Sequence, residues 1–261
     1  MDDSTPTKRN IRRKGIYLVP NLLTTGGLFA GFYAIVAAID GNYEKSIIAL
    51  FVAMLLDGLD GRFARFTGTE SDFGKEYDSL SDLVAFGIAP AIIVYQWGLV
   101  RLAEYGWIWG KVGWLAAFLY AVAAALRLAR FNVIPEASDK RFFEGLPSPS
   151  AAAMVGSMVW LGTEQQWSGA FALAFVCIVT ALAGTLMVSH LAYYSFKEVG
   201  PRGKIPLAYA FAIPLVFVLI SLNPPTVLLA MSGTYAISGL ALAVWRFRRR
   251  SKRSSAKETK A

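Results

Sequence analysis

Four aspartates stand at spacings suited to holding cations. Asp57 and Asp60 are three residues apart, and Asp78 and Asp82 are four apart. On a helix either spacing puts both side chains on one face, so each pair can aim its carboxylates in one direction. Gly61, Ala64 and Arg65 fall in the same sector as Asp57 and Asp60, at about 100° per residue. Carboxylate oxygens suit hard divalent cations such as Mg²⁺ or Mn²⁺. One histidine and one cysteine leave almost no ligands for a zinc-type or soft-metal site.

The surroundings of the four aspartates sharpen that reading. Asp57 follows a long apolar run that starts near Tyr43, and Asp82 precedes another. An aspartate well inside a membrane costs on the order of 2–3 kcal/mol, and four together also repel one another. Arg65 alone is too little to offset them, whereas two divalent cations match four carboxylates. Gly61 and Ala64 keep the same face low, so a bulky ligand such as a metal-bound nucleotide diphosphate can come close to the backbone. Arg65 can then bind phosphate oxygens bidentately. The plainer alternative is that these are helix-end charges favoured by the helix dipole. It accounts for Asp78, Asp82 and Arg65 but not for Asp57 and Asp60 on one face.

The elements that must carry these residues are membrane spans. The chain is 55% apolar with a mean hydropathy of +0.46. Apolar runs near the roughly 20 residues a spanning helix needs recur through it. They predict an all-α, polytopic bundle with spans near 16–39, 43–66, 78–97, 110–131, 149–163, 167–193, 205–222 and 226–245. Turn residues separate them at Asp40-Gly41-Asn42, Pro147-Ser148-Pro149, Gly200-Pro201-Arg202-Gly203 and Asn223-Pro224-Pro225. The organisation expected is a basic segment at 1–15, a membrane domain at 16–245 and a basic, disordered tail at 246–261. The first apolar run follows a basic flank but is long and lacks an A-x-A-like cleavage pattern, so it reads as a retained span.

Charge placement then orients the bundle. With both termini in the cytoplasm, 23 of the 26 Lys and Arg residues fall inside, and only Lys45, Arg101 and Lys111 fall outside. The net charge of +8 is thus a topology signal, and nucleic acid is not an expected partner. An inner, cytoplasmic membrane location follows. Trp97, Trp107, Trp109 and Trp114 fit an interfacial belt on the far side. Asp57 lies about 21 Å into its span at 1.5 Å per residue, in the cytoplasmic third of the hydrocarbon. Cys177 is a small core residue.

The run Asp57-x2-Asp60-Gly61-x2-Ala64-Arg65-x8-Gly74-x3-Asp78-x3-Asp82 resembles the signature of the CDP-alcohol phosphotransferases at all eight of its positions. The resemblance implies a dinuclear metal site on Asp57, Asp60, Asp78 and Asp82, with Asp82 also the base for the acceptor hydroxyl. It implies a CDP-lipid site at Gly61, Ala64, Arg65 and Gly74, with Ser71 a further contact and Asn21 and Thr24 of the first span near the nucleotide. Pro20–Thr24, Arg127–Asn132 and Phe143–Pro149 resemble the branch that uses CDP-diacylglycerol and L-serine. That branch implies phosphatidylserine and CMP as products, and similar proteins imply a homodimer.

A zwitterionic serine needs a cation for its carboxylate. Arg127, Arg130, Lys140 and Arg141 follow the fourth span on the cytoplasmic side, with Arg130 the preferred candidate and Arg127 and Asn132 beside it. Each is equally readable as a topology charge, and Gly145-Leu146-Pro147 as a simple helix break. His190 reads as a packed or interfacial residue. Two other functions compete. One is the same chemistry on glycerol 3-phosphate, inositol phosphate or choline. The other is a divalent-cation transporter, which would need polar residues across the whole bilayer, where the outer halves of spans two and three are almost purely apolar.

Overall fold

The computed structural model describes the backbone at residues 8–68, 71–133, 142–194, 214–215 and 218–258, and side chains there except at 8–20, 64–65, 142–143 and 244–258. The elements are α1 (Lys8–Ile39), α2 (Tyr43–Thr67), α3 (Asp72–Asp82), a π-helical turn (Leu83–Ile88), α4 (Ala89–Trp97), a 3₁₀ helix (Leu99–Tyr105) and α5 (Trp107–Val133). Then come β1 (Phe142–Glu144), α6 (Ser148–Glu164), α7 (Ala170–Val188), β2 (Ala192–Tyr194) and α8 (Pro224–Glu258).

Small residues let the first two helices approach closely, as membrane helix pairs require. Ala30, Ala34, Ala37 and Ala38 of α1 are buried, as are Ile47, Ala49, Leu50 and Ala53 of α2. The Ser46 hydroxyl donates to the Ala34 carbonyl at 2.6 Å, which satisfies a polar group where no water reaches. The turn between them is closed by Gly41 at φ +74°. Gly31 of α1 meets the π turn so tightly that a Cβ there would stand 2.9 Å from the Ala85 Cα.

The π turn interrupts a continuous helical run from Asp72 to Tyr105. It begins at the residue after Asp82, and Ala85, Phe86 and Gly87 within it are buried. The Phe86 carbonyl accepts from the Tyr120 hydroxyl of α5 at 3.1 Å. Such turns leave backbone groups in need of outside partners, and they cluster at functional sites.

Helix α6 is the bundle's inner post. Ten of its seventeen residues are buried, and Gly156 accommodates Leu50 of α2, to which a Cβ would be 2.7 Å. Helix α7 packs on α5, where Gly184 lies against the Tyr120 backbone. The strands pair antiparallel, Glu144 opposite Ala192. Gly145 follows β1 at φ +78°, donates its N–H to the Leu191 carbonyl at 2.8 Å, and leaves no room for a Cβ, which would stand 2.2 Å from the Met187 carbonyl oxygen. The predicted helix break is therefore a specific backbone turn that only glycine fits. Outward from the bundle, Phe29, Phe32, Val52, Phe118, Ile178 and Ile237 are exposed, the pattern of a lipid-facing surface.

Seven of the eight predicted spans coincide with helices, and the seventh, 205–222, lies largely outside the described residues. Among the described residues five stretches are long and apolar enough to cross a membrane: Asn21–Ile39, Asp72–Tyr105, Trp107–Val133, Ala170–Val188 and Pro224–Ala243. Helix α2 falls short through its charges, Asp57, Asp60 and Arg62 among them, and α6 through its 17 residues. The tail differs from expectation, since α8 stays helical to Glu258. From Arg246 to Glu258 it holds no glycine or proline, and its Arg, Lys and Ala residues are good helix formers. The protein is an all-α, multi-pass membrane bundle with one short strand pair.

Candidate active site

Helices α2 and α3 bring the acidic pairs together. Oxygens of Asp57, Asp60 and Asp78 all lie within 4.8 Å of one another. The carboxyl groups of Asp57 and Asp82 face each other in hydrogen-bonding range. Three of the four aspartates expected at one depth thus form one cluster, with Asp82 beside Asp57. Asp60 is 4% exposed. A hydroxyl and an amide hold its carboxylate: the Thr24 Oγ1 donates to Oδ2 at 2.8 Å, and the Gly61 N–H also donates to it. Ser81 in turn donates to the Thr24 carbonyl at 3.2 Å, which ties α1 to α3 directly behind the acidic face.

Four carboxyl groups this close cannot all stay ionised without a counter-charge. The donor set is all oxygen, which is the chemistry of Mg²⁺ or Mn²⁺ rather than of a soft metal. The residues therefore fit a divalent-metal centre.

Beside the carboxylates the surface is open. A Cβ built on Gly58 or Gly61 would meet nothing within 4 Å. By contrast, Gly74 is enclosed. Its N–H donates to Ser71 Oγ at 3.0 Å, and a Cβ there would stand 3.1 Å from that oxygen and 3.6 Å from Asn21 Oδ1. Ser71 thus caps α3, a role that sets the start of the helix bearing Asp78 and Asp82. Asn21 lies beside this cap. Thr25 of α1 donates to the Asn21 carbonyl at 2.7 Å and pairs with the Tyr77 hydroxyl at 2.9 Å. The side chains of Ala64 and Arg65 lie outside the described residues.

The predicted acceptor residues divide into three roles. Asn132 donates to Ser79 Oγ at 3.0 Å and so joins α5 to α3 between Asp78 and Asp82. Arg130, the preferred candidate, pairs with Glu144 of β1 and meets His190 Nδ1 at 3.0 Å. Arg127 is more deeply buried, near Asp82 and Tyr235. Its Nη1 donates to Ser148 Oγ at 3.2 Å, while its buried Nε has no hydrogen-bond partner among the described residues. Arg127, a candidate named beside the preferred Arg130, thus stands near Asp82 of the acidic face. Glu144, Ser81 and Tyr235 were not singled out from sequence. Glu144 lies within the segment Phe143–Pro149, while Ser81 and Tyr235 carry no local signal.

A family model of CDP-alcohol phosphatidyltransferases matches residues 17–187. A CDP-diacylglycerol–serine O-phosphatidyltransferase of Helicobacter pylori is 36% identical over 226 residues, which cover 86% of this chain and 90% of that protein. The Bacillus subtilis protein of the same name is 31% identical over 180 residues, 69% of this chain and 92% of its own. An archaetidylserine synthase of Methanothermobacter thermautotrophicus is 35% identical over 177 residues, 67% of this chain and 69% of that one.

Proposed function

The chain belongs to the CDP-alcohol phosphatidyltransferase family, and on that premise we infer that it transfers the phosphatidyl group of CDP-diacylglycerol to the hydroxyl of L-serine. The products are phosphatidylserine and CMP. The observation that carries the chemistry is the convergence of Asp57, Asp60 and Asp78 within 4.8 Å, with Asp82 facing Asp57 and open space at Gly58 and Gly61. The relatives named for serine transfer support the choice of acceptor.

Asp57, Asp60, Asp78 and Asp82 would hold two divalent cations, Mg²⁺ or Mn²⁺. When bound, these neutralise diphosphate charge and make the phosphorus easier to attack. Gly61 lets the diphosphate lie against the α2 backbone, and Arg65, four residues on, takes its oxygens. Asp82 removes the proton of the serine hydroxyl. The serine oxygen then bonds to phosphorus as the bond to the CMP oxygen breaks, in line and without a covalent enzyme intermediate. Arg127 receives the serine carboxylate: it lies beside Asp82 and keeps Nε unpartnered, whereas Arg130 already pairs with Glu144. Asn132 steadies α3 against α5 through Ser79.

The membrane domain, 16–245, is the catalytic unit of an inner-membrane enzyme with both termini in the cytoplasm and a homodimeric assembly. Lipid tails enter from the side, and serine arrives from the cytoplasm. The test is CMP release from CDP-diacylglycerol by the purified protein with L-serine, glycerol 3-phosphate, inositol phosphate or choline. Release should require serine and a divalent cation, and should stop with a chelator. Release with glycerol 3-phosphate in place of serine would overturn the acceptor, and chelator-insensitive release would overturn the metal centre.

A further inference from the structure

We propose that Tyr235 of α8 is a positioning residue for the acceptor, acting on the Arg127 guanidinium. The proposal rests on the reading that Arg127 receives the serine carboxylate. It goes beyond that reading by giving acceptor preference to a helix outside residues 17–187, the stretch matched by the family model.

Helix α8 is fixed to the strand pair by two opposed hydrogen bonds. The Tyr193 hydroxyl of β2 donates to the Ala236 carbonyl of α8 at 3.2 Å, and the Tyr235 hydroxyl of α8 donates to the Tyr194 carbonyl of β2 at 3.1 Å. The two rings lie 5.5 Å apart. Gly239, one turn further on, leaves the space that the Tyr193 ring fills, since a Cβ there would stand 2.3 Å from it. Bonds running in both directions fix the rotation of α8 about its axis as well as its position. Helix α8 also packs along α6, whose Ser148 accepts from Arg127, and this brings Tyr235 near the Arg127 guanidinium.

The chemistry suits the task. A tyrosine that has given its proton to a backbone carbonyl has only oxygen lone pairs left to offer. Such an oxygen attracts a guanidinium without neutralising it. Ser148 engages one end of the Arg127 fork, Tyr235 lies near it, and Nε is left over. A planar guanidinium held this way presents its remaining donors in one orientation, which planar carboxylate recognition needs.

The experiment compares Tyr235→Phe with Tyr193→Phe in the full-length protein, by steady-state kinetics in both substrates. Tyr235→Phe should raise the KM for L-serine by roughly tenfold and leave the KM for CDP-diacylglycerol within twofold. It should also narrow the preference for serine over ethanolamine, which lacks the carboxylate. Tyr193→Phe removes the other hydrogen bond of the clasp but leaves the ring seated against Gly239, which keeps the orientation of α8 and so of Tyr235. It should lower thermal stability in detergent while the serine KM stays within twofold. An unchanged serine KM in Tyr235→Phe, or an equal rise in Tyr193→Phe, would overturn the proposal. If the wild-type protein used another alcohol and ignored serine, the acceptor reading itself would have failed, and the wild-type arm reports that separately.

Discussion

The acidic face and the arginine side of the site are built in different ways. Asp57, Asp60, Asp78 and Asp82 come from two consecutive helices joined by a short loop, so a stretch of sequence from 57 to 82 carries the whole face. The arginine side draws on α5, α6, the strand pair and α8, which are spread from Arg127 to Tyr235. Local helical geometry suffices for the first. The second exists only after long-range packing, with Gly145, Glu144 and the Tyr193–Tyr235 clasp each holding one part. A shared reaction step can therefore stay on one compact motif while acceptor choice varies elsewhere.

The largest effects should come from the acidic face. Asp82→Asn should lower CMP release by about 10²–10⁴-fold while the protein still inserts and keeps its apparent melting temperature. Near-normal turnover would remove Asp82 as the base. Next come two arginine substitutions that should separate the halves. Arg127→Ala should raise the serine KM by about ten- to a hundredfold with little change for CDP-diacylglycerol, and Arg65→Ala should do the reverse. If both changed the same KM, the division into two sides would be wrong.

Gly145→Ala tests whether the arginine side depends on its backbone turn. The positive φ alone should cost about 1–3 kcal/mol, and the contact with the Met187 carbonyl adds to it. A lower melting temperature in detergent should accompany a weakened use of serine. Smallest of all, Thr24→Val removes one hydrogen bond to Asp60, worth about 1 kcal/mol. A several-fold loss of turnover, with no change in serine KM, would keep Thr24 with the acidic face.

The same contrast explains what could be read in advance. Asp57 and Asp60, or Asp78 and Asp82, meet because of helix periodicity, which is present in the sequence itself. The spans were legible because a bilayer demands long apolar runs, and their ends because Gly41, Pro147 and Asn223 mark turns. Ser71 was expected near the nucleotide, and its capping of α3 was not foreseen: its hydroxyl accepts from the Gly74 N–H three residues on. Arg130 was the preferred partner for serine, and nothing local reveals that Glu144 pairs with it across fourteen residues. Tyr235 was invisible for the same reason: its importance comes from which helix lies opposite.

The π turn after Asp82 has a consequence for insertions and deletions. A π turn holds one residue more than the α-helical path between the same two ends. Removing one residue within 83–88 would let the run close into ordinary helix with Asp82 and the buried face of α4 still in phase. Removing one residue just before Asp78 or just after Ile88 would instead swing everything on one side by about 100°, turning core residues toward lipid. The third span therefore tolerates a change of length at one place only, and that place adjoins the aspartate on which turnover depends.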